Sequence, residues 1–187
     1  MPKLYHVDRL GKLQAGQQVE LQFKDAATQH RTNRAELLSE LYSEGISQHG
    51  WEYLLKENRG DPKQDTSGTI ELLAEMVRAS RFPEKPSRFQ SFFCFRTLSE
   101  ARRFAQSHQI LVPASGRPAV ASTIYEVESA PSVFVADMAL LGLGACWVEA
   151  LLYLTWYWQG KPSKNPQWEV LVPLPATVTR TVKGNKR

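Results

Sequence analysis

The stretch Phe89-Gln-Ser-Phe-Phe-Cys-Phe95, followed after Arg96 by Thr97-Leu-Ser-Glu100, decides the fold class of this chain. The aromatic-rich first half has the composition of a strand. Thr97 or Ser99 can then cap the free amides of a helix that we expect to run through Gln106. No glycine-rich phosphate loop joins strand to helix, and no alternating strand-helix-strand units follow. The pattern therefore argues against Rossmann and P-loop nucleotide folds.

Upstream of that stretch, residues 30–85 have the pattern of a helical block. Apolar residues recur at helical spacing until Gly45, a second helical piece is expected at 51–57, and a third ends before Pro83. Strands are predicted at 3–8, 19–23, 120–128, 132–135, 168–172 and 176–182, with a further helix at 140–158. The sequence thus predicts one α+β domain over residues 1–187, with a β frame from both ends of the chain and an inserted helical block.

Composition indicates a folded protein, since 42% of the 187 residues are hydrophobic and 22% are charged. The longest apolar stretch, 138–148, is about half of the roughly 20 residues that a membrane-spanning helix needs. The amino terminus lacks the apolar region of a signal peptide, and Cys94 and Cys146 lack the paired spacing of a zinc site. We therefore expect a soluble, cytoplasmic protein without membrane contact and without a metal site.

The chain carries 23 Lys and Arg against 19 Asp and Glu, a formal net charge of +4. Part of this excess lies at the carboxyl end, in Arg180, Lys183, Lys186 and Arg187. A basic balance of this size favours polyanionic partners only weakly.

Three stretches, taken in order, carry a resemblance to a known group of enzymes. They are Leu4-Tyr-His-Val-Asp-Arg-Leu-Gly-Lys-Leu-Gln-Ala-Gly16, Phe92-Phe-Cys-Phe-Arg-Thr-Leu-Ser-Glu-Ala101 and Ile124-Tyr-Glu-Val-Glu-Ser-Ala-Pro-Ser-Val-Phe-Val-Ala-Asp137. Together they resemble the rifampicin ADP-ribosyltransferases and the wider His-type mono-ADP-ribosyltransferase superfamily. The resemblance implies an ADP-ribosyltransferase-like split β core and NAD as the substrate that donates ADP-ribose.

The resemblance also implies roles for particular residues. Tyr5 and His6 match the opening strand, whose histidine hydrogen-bonds the NAD ribose and fixes the dinucleotide in a bent pose. Phe93 matches the aromatic residue that packs on nicotinamide, where the family typically has tyrosine. Asp137 matches the catalytic acid that steadies the positive charge formed as the glycosidic bond breaks.

Three further residues are candidates from their type and place. Arg88 suits bidentate phosphate binding and Ser91 resembles a serine-containing strand motif of other ADP-ribosyltransferases, although a solvated arginine and an ordinary strand serine are the alternatives. Glu149 is a second candidate for a catalytic or acceptor-orienting acid, with a surface or capping role as its default. His49 has no partner at a recognisable spacing, and we assign it to the surface or the structure.

These features predict an NAD-dependent mono-ADP-ribosyltransferase of toxin-like character, used against phage or competitors. Its acceptor is expected to be a macromolecule, either a protein or a nucleic acid such as RNA or DNA, and a neutralising antitoxin protein should exist. One alternative is an NAD glycohydrolase, in which water is the acceptor. Another is a binding module that keeps the fold without catalysis, because Phe93 lacks the family's hydroxyl group and Val7 replaces a glycine.

Overall fold

A computed structural model describes residues 3–22, 32–55, 66–107, 122–128 and 132–182 of the chain. Seven strands and five α-helices follow one another in these ranges, with short 3-10 and π-helical turns between some of them. In chain order they are β1 (Leu4–Asp8), β2 (Gln18–Val19), α1 (Thr32–Leu41), α2 (Gln48–Gly50), α3 (Ser67–Arg81), β3 (Ser91–Cys94), α4 (Leu98–Ser107), β4 (Thr123–Glu128), β5 (Phe134–Asp137), α5 (Trp147–Trp158), β6 (Trp168–Pro173) and β7 (Ala176–Thr181). The described residues thus confirm the mixed α+β class.

The strands form two antiparallel sheets. One has four strands in the order β1-β4-β7-β2, and the other has three in the order β3-β6-β5. Backbone hydrogen bonds in both directions between Tyr5 and Phe95, of 2.9 and 2.7 Å, link the first sheet to the chain just after β3. The first strand and the strand from the middle of the chain therefore lie side by side.

The predicted helical block lies between β2 and β3. It contains α1, α2 with a π-helical continuation over Trp51–Leu55, and α3; residues 56–65 of the block lie outside the described ranges. Helices α3 and α5 cover the three-stranded sheet through a buried cluster that includes Ala74, Leu154 and Leu171. The indole of Trp158, fully buried, donates a 2.8 Å hydrogen bond to the Ala74 carbonyl and so fixes the two helices together.

The helix predicted over 140–158 is shorter in the structure. Met138–Leu140 form a 3-10 turn, and α5 begins only at Trp147. Gly144 has a φ of +59°, a left-handed conformation that cannot continue a right-handed helix. Apolar composition alone could not reveal this break. The strand expected at 132–135 is likewise shifted and occupies Phe134–Asp137.

Other expectations on chain organisation are tested only in part. Residue 23 of the strand predicted at 19–23, and residues 120 and 121 of the strand predicted at 120–128, lie outside the described residues. Within the described ranges, no helix has the length and apolar character that crossing a membrane requires.

Candidate functional site

A cavity of about 520 Å³ lies between the strand β1, the helical block and the second sheet. This volume is within the usual range of small-molecule sites. The lining side chains include His6, Arg9 and Lys12 from β1 and the loop after it, His49, Tyr53 and Glu71 from the helical block, and Arg88, Ser91, Phe93 and Glu169 from β3, β6 and the turn before β3. Residues far apart in sequence are thus collected around one space.

His6 is held in a defined orientation on β1. Its Nδ1 atom lies 2.7 Å from the backbone carbonyl oxygen of Phe93, and its ring stacks on Phe92 with centroids 4.0 Å apart. Because a carbonyl oxygen can only accept, Nδ1 must carry the proton. Burial lowers the pKa of His6 to about 4, so the ring is neutral at physiological pH. Nε2 is therefore left as a hydrogen-bond acceptor at the cavity.

Phe93 supplies an aromatic surface in the same cavity. The ring of His49 lies 4.5 Å from it, and the Arg88 guanidinium lies 4.7 Å from its centroid. A cation this close to an aromatic face is attracted by the ring quadrupole, and flat rings suit stacking against another planar group. The predicted aromatic wall is thus present next to the predicted ribose-binding histidine.

Arg88 is enclosed by two carboxylates. Its guanidinium donates to both oxygens of Glu71, at 2.7 and 2.8 Å, and to Glu169 Oε1 at 2.6 Å. It also donates to the Tyr157 hydroxyl, which in turn donates to Glu169 at 2.8 Å. Only 3% of Arg88 is exposed. Its donors are largely used within the protein, and this arrangement does not favour the phosphate-binding role predicted from sequence.

The charges in this network do not cancel. Burial opposes ionisation of Glu71, but the Arg88 guanidinium outweighs that cost and holds the pKa of the Glu71 carboxyl well below its usual range. Burial also opposes charging of Arg88, yet Glu169 and the other acidic groups raise its pKa. One guanidinium therefore faces two carboxylates, and the cluster carries a net negative charge beside the cavity.

Asp137 is placed away from the cavity. Its side chain is fully buried, and it is not among the lining residues. Backbone amides of Ala139 and Gln167 donate to Oδ1 at 3.0 and 2.7 Å, and the amide of Ser163 donates to Oδ2 at 2.7 Å. Burial opposes the charge, but these amides lower the pKa of Asp137. The carboxylate fastens the 163–167 loop to the end of β5. This structural role does not favour the catalytic assignment of Asp137, which stays a prediction.

The remaining predicted residues are divided between the cavity and the rest of the molecule. Ser91 lines the cavity, although its hydroxyl donates to the Ser87 carbonyl at 2.6 Å. Tyr5 does not line it and packs with the cluster around Val7. Glu149 accepts hydrogen bonds from the Ala145 amide and the Tyr153 hydroxyl at the start of α5, which is its default capping role. Of the seven candidates, His6, Arg88, Ser91 and Phe93 share the cavity.

Sequence reasoning did not identify three residues of the cavity as functional candidates, namely His49, Glu71 and Glu169. His49 lines the cavity with its Nε2 atom 3.1 Å from Glu71 Oε2, so its assignment to the surface or the structure is incomplete. Glu169 lines it from β6. One signal for Glu169 was available, because it is the only charged residue in the otherwise apolar strand Trp-Glu-Val-Leu-Val-Pro.

A glycine allows the helical block to approach β3. At Gly50, directly after His49, an added Cβ atom would lie 2.5 Å from the Phe89 carbonyl oxygen. The Ser47 hydroxyl accepts a 3.1 Å hydrogen bond from the Gly50 amide, and the Ser47 amide donates to that same Phe89 carbonyl at 2.8 Å. The short α2 is thereby tied to the turn that precedes β3, which places His49 against Phe93.

The cavity contains charges of both signs. Arg9 and Lys12 line it from the loop after β1, whereas Glu52, Glu71 and Glu169 line it from the helical block and β6. That loop is itself fixed by Asp8, whose carboxylate accepts from the amides of Leu10, Gly11 and Leu13 at 2.9 to 3.0 Å. A ligand with an anionic and a cationic part would find partners for both.

The basic carboxyl end gives little further information. Arg180 on β7 forms a 2.7 Å ion pair with Glu126, and Lys183, Lys186 and Arg187 lie outside the described residues.

Fold and site together define an α+β protein of two antiparallel sheets whose ligand-sized cavity combines a neutral histidine, an aromatic wall and buried carboxylates. The chain matches, over residues 4–184, the model of the family described as Protein of unknown function (DUF2441), and it belongs to that family. No curated protein matches the chain.

Proposed function

We propose that this protein binds NAD in the cavity and transfers its ADP-ribose, as a mono-ADP-ribosyltransferase. One observation carries the proposal: His6 and Phe93, which are 87 residues apart, meet in the cavity through the 2.7 Å contact between Nδ1 and the carbonyl oxygen. The resemblance to His-type ADP-ribosyltransferases assigned ribose binding to the first of these residues and nicotinamide packing to the second. Their joint placement supports that assignment.

The chemistry of the two residues fits a bent dinucleotide. The unprotonated Nε2 of His6 accepts a hydrogen bond from a ribose hydroxyl, while Phe93 stacks on the planar nicotinamide ring. Arg9 and Lys12 supply positive charge for the pyrophosphate from the loop after β1. The positively charged nicotinamide ring is attracted by the carboxylates on the other walls.

Glu169 is the acid best placed for the role that the resemblance gave to Asp137. As the bond between the anomeric carbon and nicotinamide breaks, its electron pair goes to the ring nitrogen and positive charge develops on the ribose. A carboxylate that is 95% buried acts on that charge with little competition from water, since Glu169 is only 5% exposed. Arg88 offsets part of its charge, but Glu71 restores the negative balance of the cluster.

The biological role follows from the net charge and from the resemblance. The net charge of +4 still favours a macromolecular acceptor, protein or nucleic acid. A toxin-like enzyme of this kind would act in the cytoplasm and require a neutralising partner protein.

The test is release of nicotinamide from NAD by the purified protein and by Glu169→Gln. Removing the carboxylate charge should lower the release rate by about 10²- to 10³-fold, the usual effect of deleting one preorganised electrostatic group. Glu149→Gln, the same chemical change at a half-buried capping position outside the cavity lining, is the matched control and should release nicotinamide as the wild type does. Binding of NAD without any release by the wild type would favour the non-catalytic module instead.

A further inference from the structure

His49 lies in the cavity as part of the helical block rather than of the β frame. Its ring is 4.5 Å from Phe93 and 4.6 Å from Tyr53, and its side chain is 20% exposed. The contact with Phe93 places the imidazole beside the surface on which, in the proposed function, nicotinamide packs. With NAD bound as in the proposed function, this histidine is close to the side from which a nucleophile approaches the anomeric carbon.

Glu71 on α3 sets the orientation of His49. Its Oε2 atom lies 3.1 Å from His49 Nε2, and the bidentate contact with Arg88 fixes the carboxylate plane. The Nε2 atom is buried and is not aligned for a hydrogen bond with any of the described residues. Catalytic hydrogen bonds are often poorly aligned before substrate binds and tighten afterwards. A proton on Nε2, beside this anion, leaves Nδ1 unprotonated.

The other ionisable groups around His49 come from the elements that pack against α2. They are Glu52 and Tyr53 on the π-helical turn and Arg88 on the 3-10 turn before β3. Arg88 is already bound by two carboxylates, so it does not confront His49 with an uncompensated positive charge.

We propose that His49, oriented by Glu71, is the general base that activates an oxygen nucleophile, either water or the hydroxyl group of an acceptor. This inference rests on the proposed function. The nucleophile's O–H proton moves to His49 while its oxygen forms a bond to the anomeric carbon, and the bond to nicotinamide breaks with its electron pair on the ring nitrogen. The products are O-linked ADP-ribose, neutral nicotinamide and a protonated His49, which then loses its proton to solvent.

Azide tests this role because it is a strong nucleophile that has no proton to lose. The reaction contains NAD, water and sodium azide together. ADP-ribosyl azide forms without help from a base, whereas ADP-ribose forms with it, so the ratio of the two products reports on the general base. In His49→Gln this ratio should rise about 10²-fold over the wild type, since general bases contribute about 10²- to 10⁴-fold. Glu44→Gln, an exposed change in the turn before α2 that lies outside the cavity lining, should leave the ratio as it is. Added methanol shows whether an alcohol can replace water.

Each other result has a distinct meaning. An unchanged ratio in His49→Gln overturns the proposal. If both products also fall by the same factor, His49 is a positioning residue for NAD. If the wild type releases no nicotinamide, it is the proposed function that fails.

A measurement on the wild type keeps the inference testable should the variant not fold. Capture by water includes a proton transfer, which is slower in D2O, whereas capture by azide includes none. The fraction of ADP-ribosyl azide among the products should therefore rise when the solvent is D2O. Equal azide fractions in H2O and D2O would overturn the proposal.

Discussion

Asp137 and Glu169 are acids on neighbouring strands with opposite surroundings. In the register of β5 and β6, Asp137 faces Trp168 and Ala136 faces Glu169, so the two acids are offset by one residue. Because side chains alternate along a strand, this offset sends them to opposite faces of the sheet. Asp137 meets backbone amides, whereas Glu169 meets Arg88, Tyr157 and the cavity. The surroundings of each acid therefore depend on the face of the sheet that it occupies and not on the strand that carries it.

The largest expected effect follows from removing the cation that the cavity acids share. Arg88→Met leaves Glu71 and Glu169 buried without the cation that both of them bind, and the free energy of unfolding should fall by about 3–5 kcal/mol. Urea denaturation followed by circular dichroism measures this loss. Arg180→Met, which breaks an exposed pair with Glu126, is the control and should cost far less. Similar losses in both variants would remove the distinction between the buried network and a surface ion pair.

A smaller effect is expected on the other face of the sheet. Asp137→Asn keeps the shape but places an NH2 group against backbone donors, so the free energy of unfolding should fall by about 1–3 kcal/mol at neutral pH. Nicotinamide release per folded molecule should stay at the wild-type value. A selective loss of release with unchanged stability would restore Asp137 to the catalytic role that the sequence resemblance implied.

The stability difference between the wild type and Asp137→Asn is also expected to depend on pH. The amides lower the pKa of Asp137 below its ordinary value of 3.8 in the folded protein, so its stabilising contribution is fully present above that value. The contribution is lost as the pH falls through the lowered pKa. The stability difference between wild type and Asp137→Asn should therefore shrink below about pH 4. A constant difference down to the acid transition would contradict this account.

The smallest effect is expected from the third acid. Glu149 is half-buried and binds the Ala145 amide and the Tyr153 hydroxyl at the start of α5, so Glu149→Gln should produce only a slight fall in the thermal unfolding midpoint. Differential scanning calorimetry of both proteins measures it. A large drop would show that the start of α5 depends on this carboxylate more than its exposure indicates.

Sequence patterns located much of the frame and one wall of the cavity. The strand composition of 3–8 and 89–95 placed His6 and Phe93 on β elements, and motif order suggested that they meet. Helical spacing also located α3, where an apolar stripe packs against α5. These predictions depend on local periodicity, which a single sequence records directly.

The other wall of the cavity could not be predicted, because it depends on tertiary packing. His49 and Glu71 lie on different helices, and the contact between them depends on how α2 and α3 pack. The face of Asp137 depends on the register of β5, which starts two residues later than its composition indicated. A motif match specified the end of a strand but not the direction of its last side chain.

Gly50 makes the spacing of the two cavity walls depend on a position that carries no side chain. With 2.5 Å available between its Cβ position and the Phe89 carbonyl oxygen, even a methyl group would force one backbone away from the other. His49 would move with the displaced turn, and the gap that it forms with Phe93 would widen. The width of the cleft thus depends on Gly50, which has no side chain. A substitution at this position would change which molecules fit the cleft, although the residue itself would not contact them.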